Sequence, residues 1–150
     1  MSNRFTKFGE QAIRFDLDPP YSGYVFLHSP IEVKMLRALV GRAYEWDGVM
    51  FRKGLATIQP AKKITYDYEV DFLVSHATVE WLEGLRGIVV ECDGAAYHST
   101  EQQRRNDNVR DEALKRAGFY SMHFTGSEIC RSAHSCARTV WAKWTDIFIR

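Results

Sequence analysis

The sequence predicts one α/β domain, on three observations. Strand-like segments, either alternating every second residue or running as short branched apolar stretches, occur at 64–74, 87–93 and 119–124. Segments with helical spacing and helix punctuation fall before, between and after them, at 29–46, 100–117 and 132–149. The chain has 150 residues, enough for one real core and too few for two comfortable ones.

Residues 1–28 are read as an N-terminal extension, because Pro19, Pro20 and Gly23 break any pattern there; YVFL (24–27) is a short strand within it. The domain proper is 29–150. It opens on SPIEVKMLRALVGRAYEW, with Ser29 as N-cap, Pro30 at the first helical position, and Ile31, Met35, Leu36, Leu39 and Val40 forming an apolar stripe. GVMFRKGLATI (48–58) reads as the first strand and ITYDYEVDFLV (64–74) as the second, and the short link between them suits an antiparallel pair. Residues 75–86 read as a loop with some local structure. Then come the strand GIVVECD, a polar helix over about 100–117 closed by Gly118 at C′, the strand FYSMHF (119–124) and a last helix over about 132–149.

Composition excludes several classes. Hydrophobic content of 45% and charged content of 26% are ordinary for a folded globular chain, and four tryptophans with nine phenylalanines imply a full core. No stretch reaches about 18 uninterrupted apolar residues, and MSNRFTKFGEQ has no apolar leader core, so the expectation is a cytoplasmic protein that crosses no membrane. Three cysteines argue for reduced thiols. Cys130, His134 and Cys136 have the spacing of part of a zinc site, although the same segment reads as a helix start and no fourth ligand is evident. A net charge of +1 neither requires nor excludes a nucleic-acid partner.

The chemistry concentrates at 87–98, GIVVECDGAAYH. Alternation puts Val89, Glu91 and Asp93 on one face of the strand, so two carboxylates stand about 7 Å apart on the same side. Two such acids repel and lose hydration if covered, which calls for something positive, such as a divalent cation; the bland alternative is a strand ending at Glu91 with both acids solvated. Asp71 lies near the end of the preceding strand, where it either joins these acids or is solvated beside Asp67 and Glu69. Carboxylate oxygens without a Cys or His cage are the hard donors Mg²⁺ prefers.

YEVDF (68–72), IVVECDGAAYH (88–98) and DNVRDEALKRAG (107–118), in that order, resemble the very-short-patch-repair-like (Vsr-like) endonucleases of the restriction-endonuclease-like PD-(D/E)XK superfamily. The resemblance implies a three-layer α/β fold with a mixed four-stranded central sheet flanked by helices, and Mg²⁺-dependent hydrolysis of a DNA phosphodiester, with Mn²⁺ able to substitute. On the matching positions it implies metal ligation by Asp71 and Glu91, with Asp93 as a further ligand. It also implies a catalytic part for His98, and for Glu32, an acid on the first helix. Glu32 has a competing reading as the N3 member of a Ser29 capping box. Asp93 stands where the superfamily carries a lysine, so either Asp93 is one more ligand or His98 or a nearby lysine takes the lysine's part.

Arg104, Arg105, Arg110 and Lys115 put positive charge on the helix after the acidic strand, suited to the phosphates of double-stranded DNA or to a solvated surface. Arg110 shares a face with Asp107 and Leu114, which equally suits an ion pair at the sheet. The expectation is therefore a Mg²⁺-dependent endodeoxyribonuclease of repair, restriction or defence, with a protein partner or homodimer left open. The alternatives are a catalytically inactive DNA-binding or assembly subunit and a structural metal-binding module.

Overall fold

The computed structural model describes residues 12–16, 24–52, 56–64, 68–76, 84–93 and 100–149 and, within these, every side chain except those of 42–52 and 61. The described elements are β1 (Ile13–Asp16), β2 (Tyr24–Leu27), α1 (Pro30–Arg52), β3 (Ala56–Lys63), β4 (Glu69–His76), β5 (Gly87–Asp93), α2 (Glu101–Arg116), β6 (Phe119–Thr125) and α3 (Gly126–Phe148). The central sheet has four strands in the order β3-β4-β5-β6. β3/β4 and β4/β5 are antiparallel and β5/β6 is parallel, the pair that α2 connects as a crossover. The expected mixed α/β sheet is therefore present. β1 and β2 form a separate antiparallel hairpin whose Leu27 joins the core.

Two clusters make three layers. On one face Phe72, Val74, Ile88 and Val90 pack against Met35 and Leu39 of α1 and Val140, Trp141 and Trp144 of α3. On the other, Val70, Leu73 and Val89 pack against Leu114 of α2. The indoles also donate hydrogen bonds, Trp141 Nε1 to the Leu39 carbonyl and Trp144 Nε1 to the Ser75 carbonyl, each at 2.9 Å, so they are core groups that also satisfy backbone. Glycine is required by geometry at Gly118 and Gly87. Gly118 has φ +94° just past α2, and a Cβ on Gly87 would stand 3.0 Å from the Val74 carbonyl oxygen.

Three expectations are corrected. Residues 48–52 are helical, the end of α1, and the first strand of the sheet is Ala56–Lys63, including the Gln59-Pro60 segment read as a link. A short apolar run fits a helix or a strand by period alone, and β3 is an edge strand, where proline removes no central ladder bond. The second strand begins at Glu69, not Ile64, whose N–H donates to the Tyr68 carbonyl at 2.9 Å to close the connection. The last helix begins at Gly126, because Thr125 and Glu128 form a capping box; Ser132 (φ −161°, ψ 91°) then kinks it and its Oγ caps the continuation by accepting from Ser135 N–H at 3.2 Å. Among the described residues no helix is long and apolar enough to cross a membrane.

Candidate active site

The β4/β5 ladder pairs Val74 with Ile88, Leu73 with Val89 and Phe72 with Val90. One residue further, carboxylates bridge the two strands. Cys92 N–H donates to Asp71 Oδ2 at 2.8 Å, and Asp71 N–H to Glu91 Oε2 at 3.4 Å. Each acid thus takes an amide of the other's strand, which locks the Asp71–Glu91 pair at the point where the ladder ends.

Arg110 closes the pair from α2. Its Nη2 donates to Glu91 Oε1 and, at 2.7 Å, to the Glu69 carbonyl, and its guanidinium lies 5.9 Å from the Tyr68 ring centre. The ion-pair reading of Arg110 is the one the geometry realises; the group is committed to the sheet and is not a free phosphate contact. Glu32 reaches the same place from α1. Its Oε2 accepts from His28 N–H (2.8 Å) and Ser29 Oγ (3.1 Å), and its own N–H donates weakly to Ser29 Oγ (3.4 Å). This is a capping box displaced by one residue, since the carboxylate holds the amide before the N-cap. The same carboxylate, only 6% exposed, lies within hydrogen-bonding reach of Asp71. Capping and membership of the acidic cluster therefore coexist.

Electrostatics follow from this crowding. Burial, then Glu91, then Glu32 push the Asp71 carboxyl up to about 9, against the Cys92 amide that favours its charge. Burial likewise raises Glu91, opposed by Arg110. Burial and the surrounding acids, Asp71 foremost, raise the Cys92 thiol, so it is no nucleophile.

Asp93 points to the same side as Glu91 but meets a different partner. His123 on β6 is the residue in register with Glu91, and its Nδ1 lies 3.8 Å from Asp93 Oδ2 while its Nε2 lies 3.1–3.2 Å from the Asp111 carboxylate. The Asp93 carboxylate beside it, with Asp111 adding to it against partial burial, pushes the His123 imidazole up to about 9 and keeps it charged at neutral pH. The sequence reading passed over both His123 and Asp111. A histidine late in the strand after the crossover helix was the available sign, since parallel pairing puts it beside the acid-bearing strand.

Asp71, Glu91 and Glu32 thus come together, and Asp93 sits beside them in a pair with His123. His98 lies outside the described residues. Arg104, Arg105 and Lys115 are exposed on α2, with Arg105 paired to Glu101. Cys130 is exposed near Lys34 Nζ (3.7 Å), His134 is exposed and Cys136 is buried. Among the described residues no three His, Cys, Asp or Glu side chains form a ready cage for a metal ion. The Asp71–Glu91 pair nonetheless has the donor chemistry of a hard cation. Mg²⁺ keeps several waters and takes one or two carboxylates rather than an all-protein cage, and the burial and neighbouring acids that raise the Asp71 carboxyl are what a bound cation would offset.

A family model described as REase_MTES_1575 matches residues 50–144, a span that holds Asp71, Glu91, Asp93, Arg110 and His123 and leaves out Glu32. Comparisons with curated proteins and with solved structures returned no match.

Proposed function

The chain belongs to the restriction-endonuclease-like REase_MTES_1575 family, and from that premise we propose that it is a metal-dependent endodeoxyribonuclease whose site is the Asp71–Glu91 pair. The observation that carries the reading is the pair itself, two buried acids interlocked through the Cys92 and Asp71 amides where the strands part. The reading extends to the Vsr-like branch of the superfamily, on the run of Glu91, Asp93, Gly94 and His98.

Asp71 and Glu91 would hold Mg²⁺ or Mn²⁺, with Asp93 close by, and the ion would supply an activated water and charge neutralisation at the phosphate. The chain's own part is positioning. Arg110 holds one Glu91 oxygen, so the other is fixed toward Asp71. Glu32 adds negative charge beside Asp71, which favours a cation over an empty site. His123, charged between Asp93 and Asp111, keeps a positive group near the place where the superfamily's lysine would stand. His98 remains the candidate general acid or base.

A second reading is a non-cutting DNA-binding or assembly subunit, which the acid at 93 and the Arg110 contact on Glu91 favour. Cleavage of plasmid, linear duplex, single-stranded DNA and RNA in Mg²⁺ and Mn²⁺ decides. The nuclease reading expects metal-dependent cutting of DNA that falls at least a hundredfold in Asp71→Asn and Glu91→Gln. Retention of DNA without cutting would establish the second.

A further inference from the structure

α2 packs on β6 and, through Leu114, on Val70 and Leu73 of β4, on the face where β3 and β4 pair Gln59 with Leu73. A groove of about 340 Å³ lies there. Its floor is apolar, from Leu73 and Phe119, and its charged lining is Lys62, Lys63 and Arg86, with Gln59 and Ser75 among its polar groups. Among the described residues no aspartate or glutamate lines it.

The groove lies on the carboxylate face. Leu73 and Phe119 cluster with Val89, and alternation along β5 puts Glu91 on the side of Val89; β3 and β4 pair Gln59 with Leu73 and Thr57 with Ser75, whose hydroxyls bond at 2.7 Å. From Asp71 to Ser75 is about 13 Å of strand, which keeps the groove within a few nucleotides of the carboxylate pair. Arg86 is preset for contact, its guanidinium 5.1 Å from the Phe119 ring centre and its N–H bonded to the Gly118 carbonyl at 2.6 Å. α2 carries five basic and four acidic residues, with Arg105 paired to Glu101 and Arg110 to Glu91.

We propose that this groove is the track for the DNA phosphate backbone on one side of the scissile phosphate, contacted by Lys62, Lys63 and Arg86. For its occupant the proposal rests on the nuclease reading above. Cations beside apolar side chains hold a phosphate more strongly than cations in bulk water, and the contact is independent of base sequence.

The test measures binding of a labelled duplex of about 20 base pairs by fluorescence anisotropy between 50 and 200 mM salt, in the Asp71→Asn background to prevent cutting. Cleavage by the wild-type chain is assayed in parallel. Lys62→Ala/Lys63→Ala/Arg86→Ala should bind at least about tenfold more weakly, with a salt slope shallower by about 2–3. Lys62→Ala/Lys63→Ala spares the Arg86 stacking on Phe119 and should lower the slope by about 2, whereas Arg104→Ala/Lys115→Ala should change it by less than about 1. Groove variants with unaltered affinity and slope overturn the proposal, and if the wild type cuts DNA the nuclease reading survives alone. Groove-dependent binding by a chain that cuts no substrate upholds the groove and removes the nuclease reading. A chain that binds no DNA removes both.

Discussion

At Asp71 a single carboxyl carries opposite demands. The metal-free fold favours its protonated form, whereas a bound cation favours the charged one. The pH dependence follows. Below about 3.8, the ordinary value, folded and unfolded chains both hold the proton and the site costs nothing. Above it the unfolded chain ionises first, so the metal-free protein loses stability as pH rises toward about 9. Asp71→Asn should therefore stabilise the metal-free protein at pH 8 by about 1–3 kcal/mol and do nothing near pH 3.5. Urea unfolding at the two pH values checks this, and an equal effect at both would show that the charge is not the cause.

Glu91 behaves differently because it has Arg110. Its side chain is 9% exposed and that of Arg110 28%, so Arg110→Ala leaves a covered carboxylate without its cation. A loss of about 1–3 kcal/mol is expected, shrinking to under about 1 in a Glu91→Gln background. Chemical denaturation of the four members of that cycle measures the coupling. Additive losses would mean that Arg110 acts through its Glu69 carbonyl bond instead.

At the scale of elements, the helices are started by side chains that local sequence supplies. Thr100 and Gln103 form a capping box on α2, and Thr125 and Glu128 form another on α3. Thr125 also ends β6 in register with Asp93, so the α3 cap adjoins the acidic strand. Thr125→Ala should cost about 1 kcal/mol while Thr125→Ser costs little, because serine keeps the oxygen that accepts from Glu128 N–H. Thermal melts of the two variants test this; equal losses would assign the effect to the methyl group.

Over the whole molecule, α1 with Glu32, β4 with Asp71, β5 with Glu91 and α2 with Arg110 meet at one end of the sheet. A ligand there is tied to global stability. Titration with Mg²⁺ should raise the melting temperature of the wild-type chain by about 5–10 °C at a hundredfold excess over its dissociation constant. Asp71→Asn should show little rise. Equal shifts in both chains would move the ion to another site.

What the sequence determined alone is whatever depends on residues a turn or two apart. β5 at Gly87–Asp93, α2 with its glycine stop, β6, and the shared side of Glu91 and Asp93 all follow from period, capping and turn chemistry. The pairing of Asp71 with Glu91 was an expectation from the motif resemblance, because the two acids meet only if their strands are neighbours. Tertiary structure decided the rest. Whether 48–52 extends a helix or starts a strand is not settled by a short apolar run, and the polar β3 is a strand because β4 offers it a ladder. Glu32 serves as cap and as neighbour of Asp71, and the sequence showed only alternatives. His123 meets Asp93 because β5 and β6 pair in parallel across 32 positions, a register that the crossover helix and the core set together. Local chemistry writes the elements; which charges finally face one another depends on packing between segments far apart in the chain.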